Sequence, residues 1–152
     1  MLVQRAERHA GFTVIELMVV LVLFAILARL VSPSYLESVR KAKRTEARAA
    51  LLRLMQQQEL YFSRHNSYIR FSRESTNDDE KRFAWYSGNA AANSAYEITG
   101  EPCENESIRN CVVLTARAGT ANVDVNYKDP ACGTMTLSSS GIKKADGEEC
   151  WK

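Results

Sequence analysis

GFTVIELMVVLVLFAILARLVSPSY, residues 11–35, decides how the rest of the chain is read. From Phe12 to Val31 its only charged residues are Glu16 and Arg29. At 1.5 Å per residue such a run makes a helix of about 30 Å, the thickness of a bilayer core. A secretory signal peptide would carry its small-residue cleavage site after the apolar run. Here the small residue, Gly11, comes before it, behind the short polar start MLVQRAERHA. An ordinary transmembrane anchor accounts for the length but not for Glu16, because a carboxylate near mid-membrane costs about 2.5–3.5 kcal/mol or more. A helix that lives in two environments, a bilayer first and a protein bundle later, accounts for both.

The same stretch resembles the N-terminal signature of the type IV pilins. The resemblance implies cleavage by a prepilin peptidase between Gly11 and Phe12 and N-methylation of the new terminal Phe12. It places Glu16 on the family's glutamate, used in filament assembly, and Pro33 on its helix-bending proline. Elementary electrostatics agrees. A carboxylate one turn inside a helix start is favoured by the dipole and by a terminal ammonium. In an apolar medium its pairing with a neighbour's ammonium would fix register, because an unpaired charge is costly there. A salt bridge from Glu16 to the amine of its own Phe12 is the alternative reading. Two residues depart from the family pattern. Arg29 stands where most members carry a small apolar residue and would snorkel to the far headgroups. Ala25 holds a position that is often glycine.

Beyond Pro33, which should kink the helix or end its membrane part, the helical period continues. Leu36, Val39, Ala47, Ala50, Leu51, Leu54, Tyr61 and Phe62 recur mostly at three- and four-residue steps, giving one apolar stripe. Arg40, Lys41, Arg44, Arg48, Gln57 and Arg64 read as the solvated opposite face. The dense basic run Arg40–Arg44 suits a phosphate contact, with lipid or DNA, but charge runs on helices are usually solvated faces and it is read as one. The pattern fades near His65, which reads as a capping or packing residue at the helix end.

Further on, 72–82 has the composition of a loop, and 83–96 mixes aromatics with small residues in a connection packed on the head. Strand signals follow at Ala95–Thr99, Cys111–Ala118, Gly133–Ser138 and Gly141–Lys144, the last after a turn at Ser139–Gly141. The expected fold is α+β, the type IV pilin fold: a long N-terminal helix packed on an antiparallel sheet of about four strands. The expected organisation is a leader at 1–11, a transmembrane and filament-core helix at 12–33, an amphipathic helix at 34–65, and a disulfide-bonded head at 66–152.

All four cysteines, Cys103, Cys111, Cys132 and Cys150, lie in the last third. Their spacings are too wide for the C-x2–4-C knuckles of a zinc site, so no metal is expected. In an exported domain they read as two disulfides, and four cysteines allow three connectivities. The pairing favoured is Cys103–Cys111, closing PCENESIRNC, with Cys132–Cys150, tying the last strands to the C-terminus. The second pair resembles the C-terminal disulfide loop of pilins. ACGTMTLSSSGIKK with Cys150-Trp151 looks like the end of the PilE-type and ComP-type minor pilins.

A net charge of only +2 points by itself to no nucleic-acid partner. Residues 12–65 are net basic and 66–152 mildly acidic. No catalytic triad, paired carboxylates or glycine-rich phosphate loop is apparent, so neither enzyme activity nor a cofactor is expected. The resemblance implies a minor pilin of the inner membrane, head in the periplasm, that moves to the extracellular pilus. Its expected partners are other pilins, prepilin peptidase and the pilus assembly machinery, with roles in pilus biogenesis and twitching. One alternative is a ComP-like DNA-uptake receptor, with Arg109, Lys128, Lys143 and Lys144 as candidate contacts. Another is a type II secretion pseudopilin, which shares the N-terminal signature.

Overall fold

Thr13 starts the long helix and Asn66 ends it. The computed structural model describes residues 12–152, except for the side chains of 29–34. They divide into two units, one ending at Val39 and one spanning Arg40–Lys152. Helix α1 spans Val14–His65 as one element. At its start the Thr13 hydroxyl accepts from the Glu16 N–H at 3.3 Å, and the Glu16 carboxylate accepts from the Thr13 N–H at 2.9 Å. This reciprocal pair is a capping box, which satisfies backbone donors that the first turn would otherwise leave orphaned. At the other end Asn66 adopts φ 51, a left-handed conformation that asparagine tolerates, and its N–H donates to the Phe62 carbonyl at 2.8 Å. Pro33 lies within the α1 span and so does not end the helix.

Four antiparallel strands follow in the order β1-β2-β3-β4: β1 Tyr96–Pro102, β2 Val112–Ala118, β3 Thr134–Ser138 and β4 Lys143–Ala145. The register pairs Ile98 with Ala116, Leu114 with Leu137, and Met135 with Ala145. Along β1 and β2 buried and half-buried residues alternate, so one sheet face lines the core. That core joins Tyr96, Ile98, Val112, Leu114, Ala116, Met135 and Leu137 to the α1 stripe Ala47, Ala50, Leu51 and Leu54. The two alanines leave room for the helix to lie close to the sheet.

Two strand boundaries differ from the pattern reading by more than one residue. Strand β1 runs on to Pro102 because Gly100, which looks like a strand breaker, is required where it stands. A Cβ there would sit 2.5 Å from the Phe71 ring. Strand β4 begins at Lys143 rather than at the expected Gly141, because Gly141, at φ 81, belongs to the turn and donates its N–H to the Ser138 carbonyl at 2.9 Å.

The 66–95 connection covers the outer edge of β1. Phe71 and Gly100 exchange backbone hydrogen bonds, Ile98 donates to the Trp85 carbonyl at 2.7 Å, and Tyr86 bridges Glu97. Within the segment read as a loop, Glu80–Arg82 forms a short 3-10 turn. Gln58 pins the start of this connection. Its side chain is fully buried, donates to the Ile69 carbonyl at 2.8 Å and accepts from the Ile69 N–H at 3.1 Å. The amide takes the place of a neighbouring strand.

Candidate functional site

Two regions carry the chemistry: the apolar start of α1 and the disulfide-bonded part of the head. At the start, Phe12 is 83% exposed, and every large apolar side chain from Val14 to Leu27 is at least 43% exposed. The helix is apolar all round here, a composition that calls for lipid or other helices as surroundings. Among the described residues, no helix is long and apolar enough to cross a membrane. The one charge in this stretch is held locally, since the Glu16 carboxylate accepts from both the Thr13 N–H (2.9 Å) and the Thr13 hydroxyl (2.8 Å). Gly11 lies outside the described residues. Pro33 lies within α1, and its side chain too is outside them.

In the head, the structure joins Cys103 to Cys111 and Cys132 to Cys150, with Cα–Cα distances of 5.4 and 5.6 Å. The first bond closes the loop between β1 and β2. The second ties the C-terminal 3-10 turn, Glu148–Trp151, to the residues before β3. Beside it, the Trp151 indole N–H donates to the Lys144 carbonyl at 3.0 Å, and the Lys143 ammonium stands 5.3 Å from the Trp151 ring centre.

The Cys132 end of this bond rests on a buried polar node. Asp129, 5% exposed, accepts from Arg44 Nε at 2.6 Å and Nη2 at 2.7 Å. It also accepts from the Tyr96 hydroxyl at 2.8 Å and from the Cys132 N–H at 3.1 Å. Burial alone would raise its pKa, but the Arg44 hydrogen bonds, the Tyr96 hydroxyl and the Cys132 amide outweigh it and hold the carboxyl at about 2. Burial, with its hydrogen bonds to Tyr127 and Asp129, pushes the Tyr96 hydroxyl far above its ordinary value. Burial likewise raises Tyr127, whose ring centre lies 5.6 Å from that of Tyr96.

Arg44 therefore does not belong to the solvated face on which the period places it. Its side chain is only 11% exposed and clamps α1 to the 119–133 segment. Its neighbour Lys43 pairs with Glu46 at 3.0 Å and donates to the Asn93 carbonyl at 3.3 Å. His65 caps and packs the helix end, with Nδ1 3.0 Å from the Tyr61 carbonyl and its ring stacked on Tyr61 at 4.0 Å. The basic residues singled out for DNA are all exposed but arise from three segments: Arg109 in the β1–β2 loop, Lys128 beside Asp129, and Lys143–Lys144 on β4. Among the described residues, no group of His, Cys, Asp and Glu could hold a metal ion.

Residues 33–136, most of the helix and the head just described, match a family model described as type IV minor pilin ComP, DNA uptake sequence receptor. The chain belongs to this family of type IV minor pilins. The pilin also matches, at residues 8–28, a model described as the prokaryotic N-terminal methylation motif. It is 31% identical over 113 residues to the type IV major pilin protein PilA of Myxococcus xanthus (strain DK1622), a match covering 67% of this chain and 51% of that protein. The pilin thus spans about half the length of the curated relative it matches. Its fold is similar to a type IV pilin from Shewanella oneidensis, at a TM-score of 0.46 and 22% identity, over 73% of this chain and 96% of that one.

Three features of the site escape the pattern reading. The Thr13-x-x-Glu16 spacing is a capping-box signature and is legible in the sequence. Gln58, polar in the buried helix stripe, is visible as an oddity but not as a partner for Ile69. The Arg44–Asp129 pair spans 85 residues and leaves no local signal.

Proposed function

We propose that this pilin is a structural subunit of a type IV pilus, cut between Gly11 and Phe12 by prepilin peptidase and methylated on Phe12. Before assembly it sits in the inner membrane with its head in the periplasm. It then passes into the filament, with other pilins and the assembly machinery as its partners. The observation that carries this reading is the exposed apolar surface of α1 from Phe12 to Leu27. A surface of that kind needs a bilayer or a bundle of like helices around it. Glu16 supplies the one polar contact, held at the helix start by Thr13 and turned in the filament toward a neighbour's terminal amine. The two disulfides of the head suit an exported domain.

The test is a deletion strain scored together for pili, twitching, DNA uptake and secretion, with intact-mass analysis of assembled protein. Normal pili in the deletion strain, or residues 1–11 still attached in the filament, would overturn the reading. A secretion defect with normal pili would assign the pilin to a type II secretion filament instead.

A second reading, reception of DNA for uptake, is favoured by the match of 33–136 to a model whose description names a DNA uptake sequence receptor. Gel shifts over a salt series test it. Binding that weakens steeply as salt rises supports phosphate contacts by the exposed basic residues. No shift at low salt excludes them.

A further inference from the structure

The last turns of α1 and the 79–83 segment border an open hollow of about 460 Å3. Its wall is aromatic. The Tyr61 ring stacks on the His65 ring at 4.0 Å and meets Phe83 edge-on at 6.2 Å. Phe83 is anchored at 6% exposure and stacks on Phe71 behind it, so the wall is continuous with the core. Arg64 and Arg82 also line the hollow, and both are exposed. Against them stands a single carboxylate, Asp79, which lies 3.8 Å from Arg82, with side chains 45% and 78% exposed. An exposed ion pair of that length binds weakly and leaves Arg82 open to a better acceptor.

We infer that this hollow is a binding site for a small planar ring that bears a phosphate or a carboxylate. The size falls within the range of ligand pockets. Rigid aromatic rings offer a ring ligand stacking and edge contacts. Guanidinium groups suit phosphate and carboxylate oxygens, which they grip in a planar fork. The negative end of the α1 dipole is here, so the anion is held by the two arginine side chains rather than by main-chain amides. A ring without charge would leave the arginines unused, and a bare anion would leave the aromatic wall unused. The site is separate from the apolar face and the basic residues of the proposed function, so the fate of either reading leaves the other standing.

Calorimetric titration of the full chain in detergent micelles tests this with four probes: phenyl phosphate, benzoate, inorganic phosphate and phenol. Phenyl phosphate or benzoate should bind at least about tenfold more tightly than inorganic phosphate or phenol, and the better of the two names the anion. Arg64→Gln and Arg82→Gln, both at exposed positions, should each weaken that binding about tenfold, the worth of one charge-assisted hydrogen bond, with the unfolding midpoint unchanged. Equal binding of ring acid, bare anion and bare ring would overturn the inference, as would variants that bind like the parent chain.

Discussion

Replacing Asp129 by alanine removes the acceptor on which five separate donors converge. Two of the contacts are charge-assisted, to Arg44 Nε and Nη2 at 2.6 and 2.7 Å. The other three come from the Tyr96 hydroxyl and the Cys132 N–H, both buried, and from the half-buried Tyr127 hydroxyl at 3.3 Å. Hydrogen bonds to charged groups contribute about 1.5–3 kcal/mol each, but the carboxylate also carries a desolvation cost that its removal relieves. Breaking a buried pair by deleting one partner costs about 3–5 kcal/mol net, and that is the expected loss. With a urea slope of about 1–3 kcal/mol/M, the midpoint should fall by about 2 M. The assay is urea unfolding of the full chain in micelles with disulfides intact, followed through Trp85 and Trp151. The pH dependence gives an independent check. The folded carboxyl sits at about 2 against an ordinary value of 3.8. A depressed carboxylate contributes stability above its unfolded pKa and loses it as pH falls through the folded one. The parent chain should therefore lose about 2 kcal/mol between pH 4 and 2 through this group, and the alanine variant should lack that component. The double change Arg44→Met with Asp129→Leu should recover most of the loss. A midpoint within about 0.3 M of the parent, which that slope converts into less than about 1 kcal/mol, would refute the argument, as would an unchanged acid profile.

Three further outcomes are expected. Gln58→Leu keeps the volume but strips the Ile69 N–H and carbonyl of their partners, which should cost about 1–3 kcal/mol; an unchanged thermal midpoint would contradict it. Thr13→Val removes the hydroxyl half of the capping box, worth about 1 kcal/mol, and amide exchange at Glu16 should quicken about fivefold while exchange in the sheet stays as it was. Changing Cys132 and Cys150 both to serine opens a loop of sequence separation 18 and should cost about 3 kcal/mol in the chain-entropy account, read as a lower urea midpoint; a loss below about 1 kcal/mol would mean that the Asp129 contacts hold that end unaided.

Much of the fold is legible because its signals are local. The α1 stripe at 47, 50, 51 and 54 lies one helical turn apart, and the alternation in Gly133–Ser138 declares both a strand and its inner face. The end of α1 at His65 is marked by the fading stripe and the asparagine that follows. What cannot be read locally is pairing. Gly100 looks like the end of a strand until Phe71, from another segment, is seen against it. Arg44 looks like one more cation in a basic run, because nothing near it in the chain announces Asp129. The capping box is a different case. Its residues are adjacent and its spacing is known, but Glu16 draws attention as a charge in an apolar helix, and its bond to Thr13 is passed over.

The covered edge of β1 bears on how a polymer of such subunits can grow. A sheet with an open edge invites another sheet, and a population of such heads would add strands to one another without limit. Here Phe71 and Tyr86 occupy the β1 side. The β4 side offers only Lys143–Ala145, with two exposed lysines that repel a second copy of themselves. Lateral strand addition is thereby discouraged at both margins of the head. In the pilus proposed above, that leaves growth to the apolar helix rather than to the sheet.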